Sequence, residues 1–173
     1  SYVLAIDQGT TSTRAIVFDK NLQIVASSQK EIEQFFPFPG WVEHDLEEIY
    51  ATVIATVRDA VKGAKISSQD ILSIGITNQR ETTAIWNAET GQALSKAIVW
   101  QDRRTSEFCN ELKKNGKERV YQGKTGLLID PYFSATKVKW LLDKYDPERT
   151  MANSGQLLFG TIDCYLIWRL TNK

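Results

Sequence analysis

The stretch Asp7-Gln8-Gly9-Thr10-Thr11-Ser12 sets a carboxylate, a glycine and a run of hydroxyls side by side. Asp7 ends the apolar run Val3-Leu4-Ala5-Ile6, where a carboxylate can face a cation. Gly9 has no Cβ, so the backbone there can turn tightly and approach a phosphate. Thr10, Thr11 and Ser12 offer hydroxyl donors, and the N–H groups of such a turn can form an anion-binding nest. Arg14 adds a fixed positive charge nearby. Magnesium keeps several of its waters and needs only one or two carboxylates, so Asp7 is enough on this side of a Mg²⁺-nucleotide site. By residue type alone, the stretch reads equally well as an ordinary hairpin turn.

A second polar group is Thr77-Asn78-Gln79-Arg80-Glu81-Thr82-Thr83. It follows the apolar run 71–76, and ligands of α/β sheets bind at such strand ends. A polyol presents hydroxyls that both donate and accept. Arg80 can donate to two of them and Glu81 can accept from two. A ligand lacking those hydroxyls would leave both charges unpaired, and the site would reject it. Taken in isolation, Arg80-Glu81 reads as a surface ion pair worth only ~0–1 kcal/mol.

The elements that must position these groups follow from patterning. Residues 2–7, 13–19 and 22–27 are apolar-rich runs joined by short turns, which predicts three strands in an antiparallel meander. Phe35-Phe36-Pro37-Phe38-Pro39-Gly40-Trp41 predicts a loop. Asp45 predicts a helix cap, with Glu48 completing a capping box. Leu46, Ile49, Tyr50, Val53, Ile54, Val57 and Val61 fall at helical spacing and predict one buried face, with Gly63 as the stop. Further strands are predicted at 71–77, fully apolar and buried, and at 82–86 and 97–100. Helices are predicted at 105–115, 134–145 and 161–170, the last with Ile162, Leu166 and Ile167 inward. A meander followed by strands alternating with helices is a mixed α/β fold.

Lysine and arginine total 21 and aspartate and glutamate total 21, so no basic stripe invites nucleic acid and no polybasic tract invites an anionic membrane. No apolar run approaches the ~20 residues that span a bilayer. The chain enters its first strand with no basic leader or cleavage site. Cys109 and Cys164 have no motif spacing and read as reduced, small core residues of a cytoplasmic protein. His44 reads as a loop or packing histidine. Trp41, Trp86, Trp140 and Trp168 read as packing residues. Asp102-Arg103-Arg104 reads as an ion-pair cluster bracing a pocket, and Lys113, Lys114 and Lys117 as a solvated face. No G-x-x-x-x-G-K-[ST] or G-x-G-x-x-G motif occurs.

The hairpin D-x-G-T-[ST] resembles the phosphate loop of the actin, sugar-kinase and heat-shock-chaperone ATPase superfamily, whose core is ribonuclease H-like. Gly75-Ile76-Thr77-Asn78-Gln79-Arg80-Glu81-Thr82-Thr83 is similar to the glycerol-phosphorylating members of the FGGY family of carbohydrate kinases. Pro39-Gly40-Trp41-Val42-Glu43-His44-Asp45, Ile98-Val99-Trp100-Gln101-Asp102-Arg103-Arg104-Thr105 and the stretch Gly126 to Ser134 resemble further segments of that family, in order. One departure is Leu46, where the family often has proline; Asp45 can still cap.

The resemblance implies a ribonuclease H-like fold, with 1–173 as part of an N-terminal kinase domain and a C-terminal nucleotide-binding domain outside it. It implies ATP-dependent phosphorylation of glycerol, with ATP and Mg²⁺ required, by a cytoplasmic homo-oligomer of the complete protein. By position, Arg80, Glu81 and Tyr132 would hydrogen-bond glycerol and Trp100 would pack on its carbons. Thr10, Thr11, Ser12 and Arg14 would meet the nucleotide phosphates, and Asp7 would hold the metal through water. The catalytic base is expected downstream, with neither Asp130 nor Asp163 as its substitute. This chain alone is then expected to be inactive. The alternatives are another FGGY sugar or polyol kinase, a non-catalytic actin-like nucleotide module, or a binding module that senses glycerol.

Overall fold

The computed structural model describes residues 1–171. In chain order the strands are β1 (Tyr2–Gln8), β2 (Ser12–Phe18), β3 (Ile24–Glu31), β4 (Glu43–His44), β5 (Ile71–Asn78), β6 (Ala84–Asn87), β7 (Ala97–Ile98) and β8 (Leu157–Gly160). The helices are α1 (Leu46–Gly63), α2 (Ser106–Lys114), α3 (Glu118–Thr125), α4 (Ser134–Tyr145), α5 (Thr150–Asn153) and α6 (Ile162–Thr171). They form two compact units. One comprises Ser1–Gln34, His44–Gln79 and the segment from Ile162, and the other comprises Phe35–Glu43 and Arg80–Thr161.

The first unit is built on a sheet of order β3-β2-β1-β5. β1 pairs antiparallel with β2 and β2 with β3, which is the expected meander, while β5 joins β1 in parallel. Period-two alternation sends Leu4, Ile6 and Gln8 inward from β1 and leaves Asp7 exposed. On β2 the same rule buries Thr13, Ala15 and Val17. Helix α1 covers β2 and β3 with Leu46, Ile49, Val53, Thr56 and Ala60, spaced three or four apart. Burying a side chain of the size of Ile49 or Val53 contributes about 1.5–3 kcal/mol. Asp45 caps α1 by accepting the Glu47 and Glu48 N–H groups, as expected. The Glu48 carboxylate is recruited by the Glu33 N–H at 3.0 Å.

Three expectations are corrected in this unit. β5 is fully apolar in sequence from Ile74 to Ile76 but is not a buried strand: Leu72 is 74% and Ile74 55% exposed. Its position at the sheet edge, with only β1 beside it among the described residues, accounts for this. On α6, Ile162 and Leu166 face inward, but Ile167 is exposed and Tyr165 takes the buried position. Cys164 on the same helix is exposed, not a core residue. The three-residue offset 162–165 lies closer to the helical repeat than 162–167 does.

The second unit pairs β6 antiparallel with β8, and bridges Thr83 to Ile98 at the start of the same region. Ile85, Ile98, Leu141 and Leu157 form its core, with Trp140, Leu142, Tyr145 and Met151 packed around them. The Arg104 guanidinium packs against Trp41 and Trp140, 3.7 Å and 4.7 Å from their ring centroids. It also donates to Asp102 and, at 2.8 Å, to Glu43, while Asp102 accepts the Val42 N–H at 2.7 Å. The predicted ion-pair cluster is thus a brace inside this unit. Helix α4 matches its predicted span, and α2 falls one residue inside its predicted ends. Helices α3 and α5 and strand β8 were not predicted from patterning. No described helix is long and apolar enough to cross a membrane.

Candidate functional site

In the first unit the chain turns from β1 into β2 through Gly9 to Ser12. The Gly9 N–H donates to the Ser12 carbonyl at 2.9 Å and so closes the turn. A Cβ on Gly9 would stand 3.2 Å from that carbonyl, closer than such contacts normally run, so the tight turn selects glycine. Asp7 lies at the edge of this turn, paired in register with Arg14 across the hairpin and with Thr77 on β5. Arg14 donates twice to Gln29 Oε1, at 3.1 and 2.8 Å, and Gln29 Nε2 donates to the Ser12 hydroxyl at 2.8 Å. The guanidinium is therefore held on the β2–β3 surface, and Arg14 is exposed. Thr11 is exposed and Thr10 half-buried, beside the half-buried Ser12.

The base of the hairpin is fixed by buried amides. Gln79 N–H donates to the Gln8 carbonyl at 2.7 Å. The Gln79 side-chain amide donates to Gln8 Oε1 at 2.9 Å, and lies 3.2 Å from the Gly9 carbonyl and 3.0 Å from His44 Nδ1. Gln8, Gln79 and His44 are all buried. Sequence reading put Gln79 in the ligand-facing cluster and His44 among packing residues. The structure makes both of them supports of the turn. Asn78, the last residue of β5, donates to Asp163 at 2.8 Å.

Among the described residues no group of three or more histidine, cysteine, aspartate or glutamate side chains gathers for a metal. Asp7 alone, exposed at a strand end beside three hydroxyl residues, fits the sparse protein ligation of a magnesium ion that keeps its waters and meets phosphates.

In the second unit Glu81, Trp100 and Tyr132 are brought together. Trp100 meets Tyr132 edge to face, with centroids 5.8 Å apart. Glu81 Oε2 accepts the Ser134 N–H at 2.9 Å and the Ser134 hydroxyl at 2.8 Å, two residues beyond Tyr132. Glu81 has a positive φ of 66°, in the left-handed region that side chains seldom adopt. Its carbonyl is tied by Thr83 Oγ1 at 3.0 Å. Arg80, next to it, is exposed. The Tyr132 N–H donates to Asp130 Oδ1 at 2.8 Å, and the Arg103 guanidinium lies 3.5 Å from that same oxygen.

Lys137 is buried under this loop. Its ammonium donates to the carbonyls of Pro131, Tyr132 (2.7 Å) and Phe133 (3.4 Å). Burial lowers it to about 8, and the charges of Asp102 and Glu81 oppose that shift. Sequence reasoning missed Ser134 and Lys137. The available signal was a lysine at the inward register of α4, four residues before Leu141 on one helical face.

A family model described as FGGY family of carbohydrate kinases, N-terminal domain, matches residues 2–173. Glycerol kinase of Rhizobium meliloti (strain 1021) is 59% identical over 170 residues, covering 98% of this chain and 34% of that protein. Glycerol kinase of Bradyrhizobium diazoefficiens is 58% identical over 171 residues, covering 99% and 34%. The crystal structure of Plasmodium falciparum glycerol kinase with ADP superposes with a TM-score of 0.90 at 37% identity, over 99% of this chain and 34% of that one. Gluconate kinase from Lactobacillus acidophilus superposes with a TM-score of 0.83 at 25% identity, over 97% and 32%. The chain spans about a third of the length of these relatives. The mixed α/β fold is that of these kinases, with the actin-like core expected from the hairpin.

Proposed function

The chain belongs to the FGGY family of carbohydrate kinases, and we propose that the complete protein transfers the γ-phosphoryl group of ATP to a primary hydroxyl of glycerol. The observation that carries the substrate is the gathering of three segments: Trp100 meets Tyr132 edge to face, and Glu81, next to the exposed Arg80, is tied to Ser134 two residues beyond Tyr132. Such a surface offers one acceptor and one cation to hydroxyls and a ring face to carbon. Likeness to glycerol kinases at 58–59% identity, against 25% to a gluconate kinase, supports glycerol over a sugar acid.

In this reading Arg80 donates to one pair of glycerol oxygens, Glu81 accepts from hydroxyls, Tyr132 hydrogen-bonds the ligand, and Trp100 packs along its carbons. Thr10, Thr11, Ser12 and Arg14 meet nucleotide phosphates, and Asp7 holds Mg²⁺ through water. Mg²⁺ when bound supplies charge neutralisation on the transferring phosphoryl group. Work of this kind is mainly positioning and electrostatic stabilisation. The general base is assigned to the part of the protein outside this chain. Asp130 is occupied by the Tyr132 N–H and Asp163 by Asn78, which supports leaving both out of that role. A cytoplasmic location and a homo-oligomeric state belong to the same reading, and fractionation and native mass measurement test them.

The test is a coupled assay of the purified complete protein with ATP, Mg²⁺ and a panel of glycerol, erythritol, xylulose and gluconate. Glycerol should give the highest kcat/KM. A higher value for a pentulose or for gluconate would replace glycerol as the acceptor, and no turnover with any of them would remove the kinase reading.

A further inference from the structure

Helix α4 begins with no side-chain cap of its own, since Phe133 occupies its N-cap position. The first N–H groups of a helix need acceptors, and a carboxylate is favoured there by the helix dipole. Glu81 fills this need from 53 residues away in sequence, taking the Ser134 N–H and hydroxyl on one oxygen, Oε2. A carboxylate has room for about four hydrogen bonds. Among the described residues Glu81 Oε1 carries none, so it is the oxygen left for a ligand hydroxyl. Lys137, three residues along the same helix turn, locks the carbonyls of Pro131, Tyr132 and Phe133. These bonds tie the segment that carries Tyr132 to the helix that begins at Ser134.

We infer that Ser134 is a positioning residue of the acceptor site: it fastens Glu81 Oε2 so that Oε1 stays committed to a substrate hydroxyl. Ser134 itself touches no substrate; it acts through Glu81. The inference rests on Glu81 being part of the acceptor site, as proposed above.

The experiment compares Ser134→Ala and Ser134→Thr in the complete protein, alone and combined with Glu81→Ala, by steady-state kinetics with glycerol and ATP. Loss of a hydrogen bond to a charged group predicts a rise in glycerol KM of about tenfold for Ser134→Ala. The ATP KM should stay within about twofold, and Ser134→Thr, which keeps the hydroxyl, should restore most of the loss. In the Glu81→Ala background, Ser134→Ala should add nothing further, because the group it acts through is gone. Thermal unfolding of each variant separates this from general damage. An unchanged glycerol KM in Ser134→Ala would overturn the inference while leaving the glycerol reading intact. Equal losses for glycerol and ATP, or an undiminished effect without Glu81, would also overturn it and assign Ser134 to helix stability alone. A parent protein that does not phosphorylate glycerol would remove the functional reading itself, and the role of Ser134 with it.

Discussion

The Gln79 side-chain nitrogen lies 3.0 Å from His44 Nδ1, inside the buried base of the β1–β2 hairpin. That nitrogen faces three acceptors, Gln8 Oε1, the Gly9 carbonyl and His44 Nδ1, so it is the NH₂ end of the amide. His44 accepts on Nδ1 and must carry its proton on Nε2. Nε2 is buried and has no partner among the described residues. An unsatisfied buried donor costs about 1–3 kcal/mol, so the arrangement persists at some expense to stability.

A pH dependence follows. Burial lowers the His44 pKa from 6.5 to about 4. As pH falls below 6.5 the unfolded chain takes up a proton that the folded chain refuses. Stability is therefore complete above pH 6.5 and declines as pH drops toward 4, by up to about 3 kcal/mol. Thermal unfolding of the complete protein and its His44→Phe variant between pH 7 and 5 checks this. The parent should lose Tm more steeply than the variant. Parallel slopes would show that His44 titrates normally.

Arg104 should be a large contributor to stability in the second unit. Its side chain is 2% exposed and bonds Asp102, which is 1% exposed, and Glu43. Its guanidinium also rests against two tryptophan rings. Arg104→Ala leaves Asp102 buried and unpaired, and breaking a buried pair from one side typically costs about 3–5 kcal/mol. Arg104→Lys should recover only part, because it loses the planar fork and the ring stacking. Urea unfolding of both variants measures this, and a loss below about 1 kcal/mol for Arg104→Ala would contradict the brace.

Much of this architecture was legible in the sequence because local signals agreed with tertiary need. Asp45, Leu46, Ile49 and Val53 define α1 at both levels and Gly9 announces the turn it makes, but Tyr50, Ile54, Val57 and Val61, expected on the buried face, are only partly buried, and Thr56 and Ala60 are buried instead. Elements whose character is set by neighbours were not legible. The apolar β5 run says nothing of what lies beside it, so Leu72 and Ile74 looked buried and are exposed. β8 is only four residues long and is specified by pairing with β6. Helix α3 is short and buries no side chain. The site residues split the same way. Arg80 and Glu81 stand out by type, but the tie from Glu81 to Ser134 spans too much sequence to be seen before folding.

Arg80→Ala in the complete protein should raise glycerol KM with little effect on ATP KM. Arg80 is exposed beside Glu81, where a donor to ligand hydroxyls would stand. Loss of a charged donor costs about 1.5–3 kcal/mol, or roughly ten- to a hundredfold in KM. Initial-rate kinetics with each substrate varied in turn measures it, and an unchanged glycerol KM would remove Arg80 from the acceptor site.

Asp7→Asn should act on the other substrate and on the other kinetic constant. Asp7 is exposed at the end of β1, in register with Arg14 and Thr77 and next to the Gly9 turn. A role confined to the nucleotide side predicts a change in glycerol KM of no more than about twofold. The substitution keeps shape and removes one negative charge. If that charge helps hold Mg²⁺ on the transferring phosphates, its loss falls mainly in the transition state, where charge stabilisation is worth most. Removing one such preorganised group typically lowers kcat by about 10²–10³-fold. The Mg²⁺ concentration for half-maximal rate should also rise, a shift that simple loosening of the hairpin would not produce. Thermal unfolding should be close to the parent, because an exposed carboxylate contributes little to folding. Rates measured across a Mg²⁺ titration decide the matter: near-parental kcat at ordinary Mg²⁺ would take Asp7 out of the metal site and leave the hairpin with phosphate contacts only.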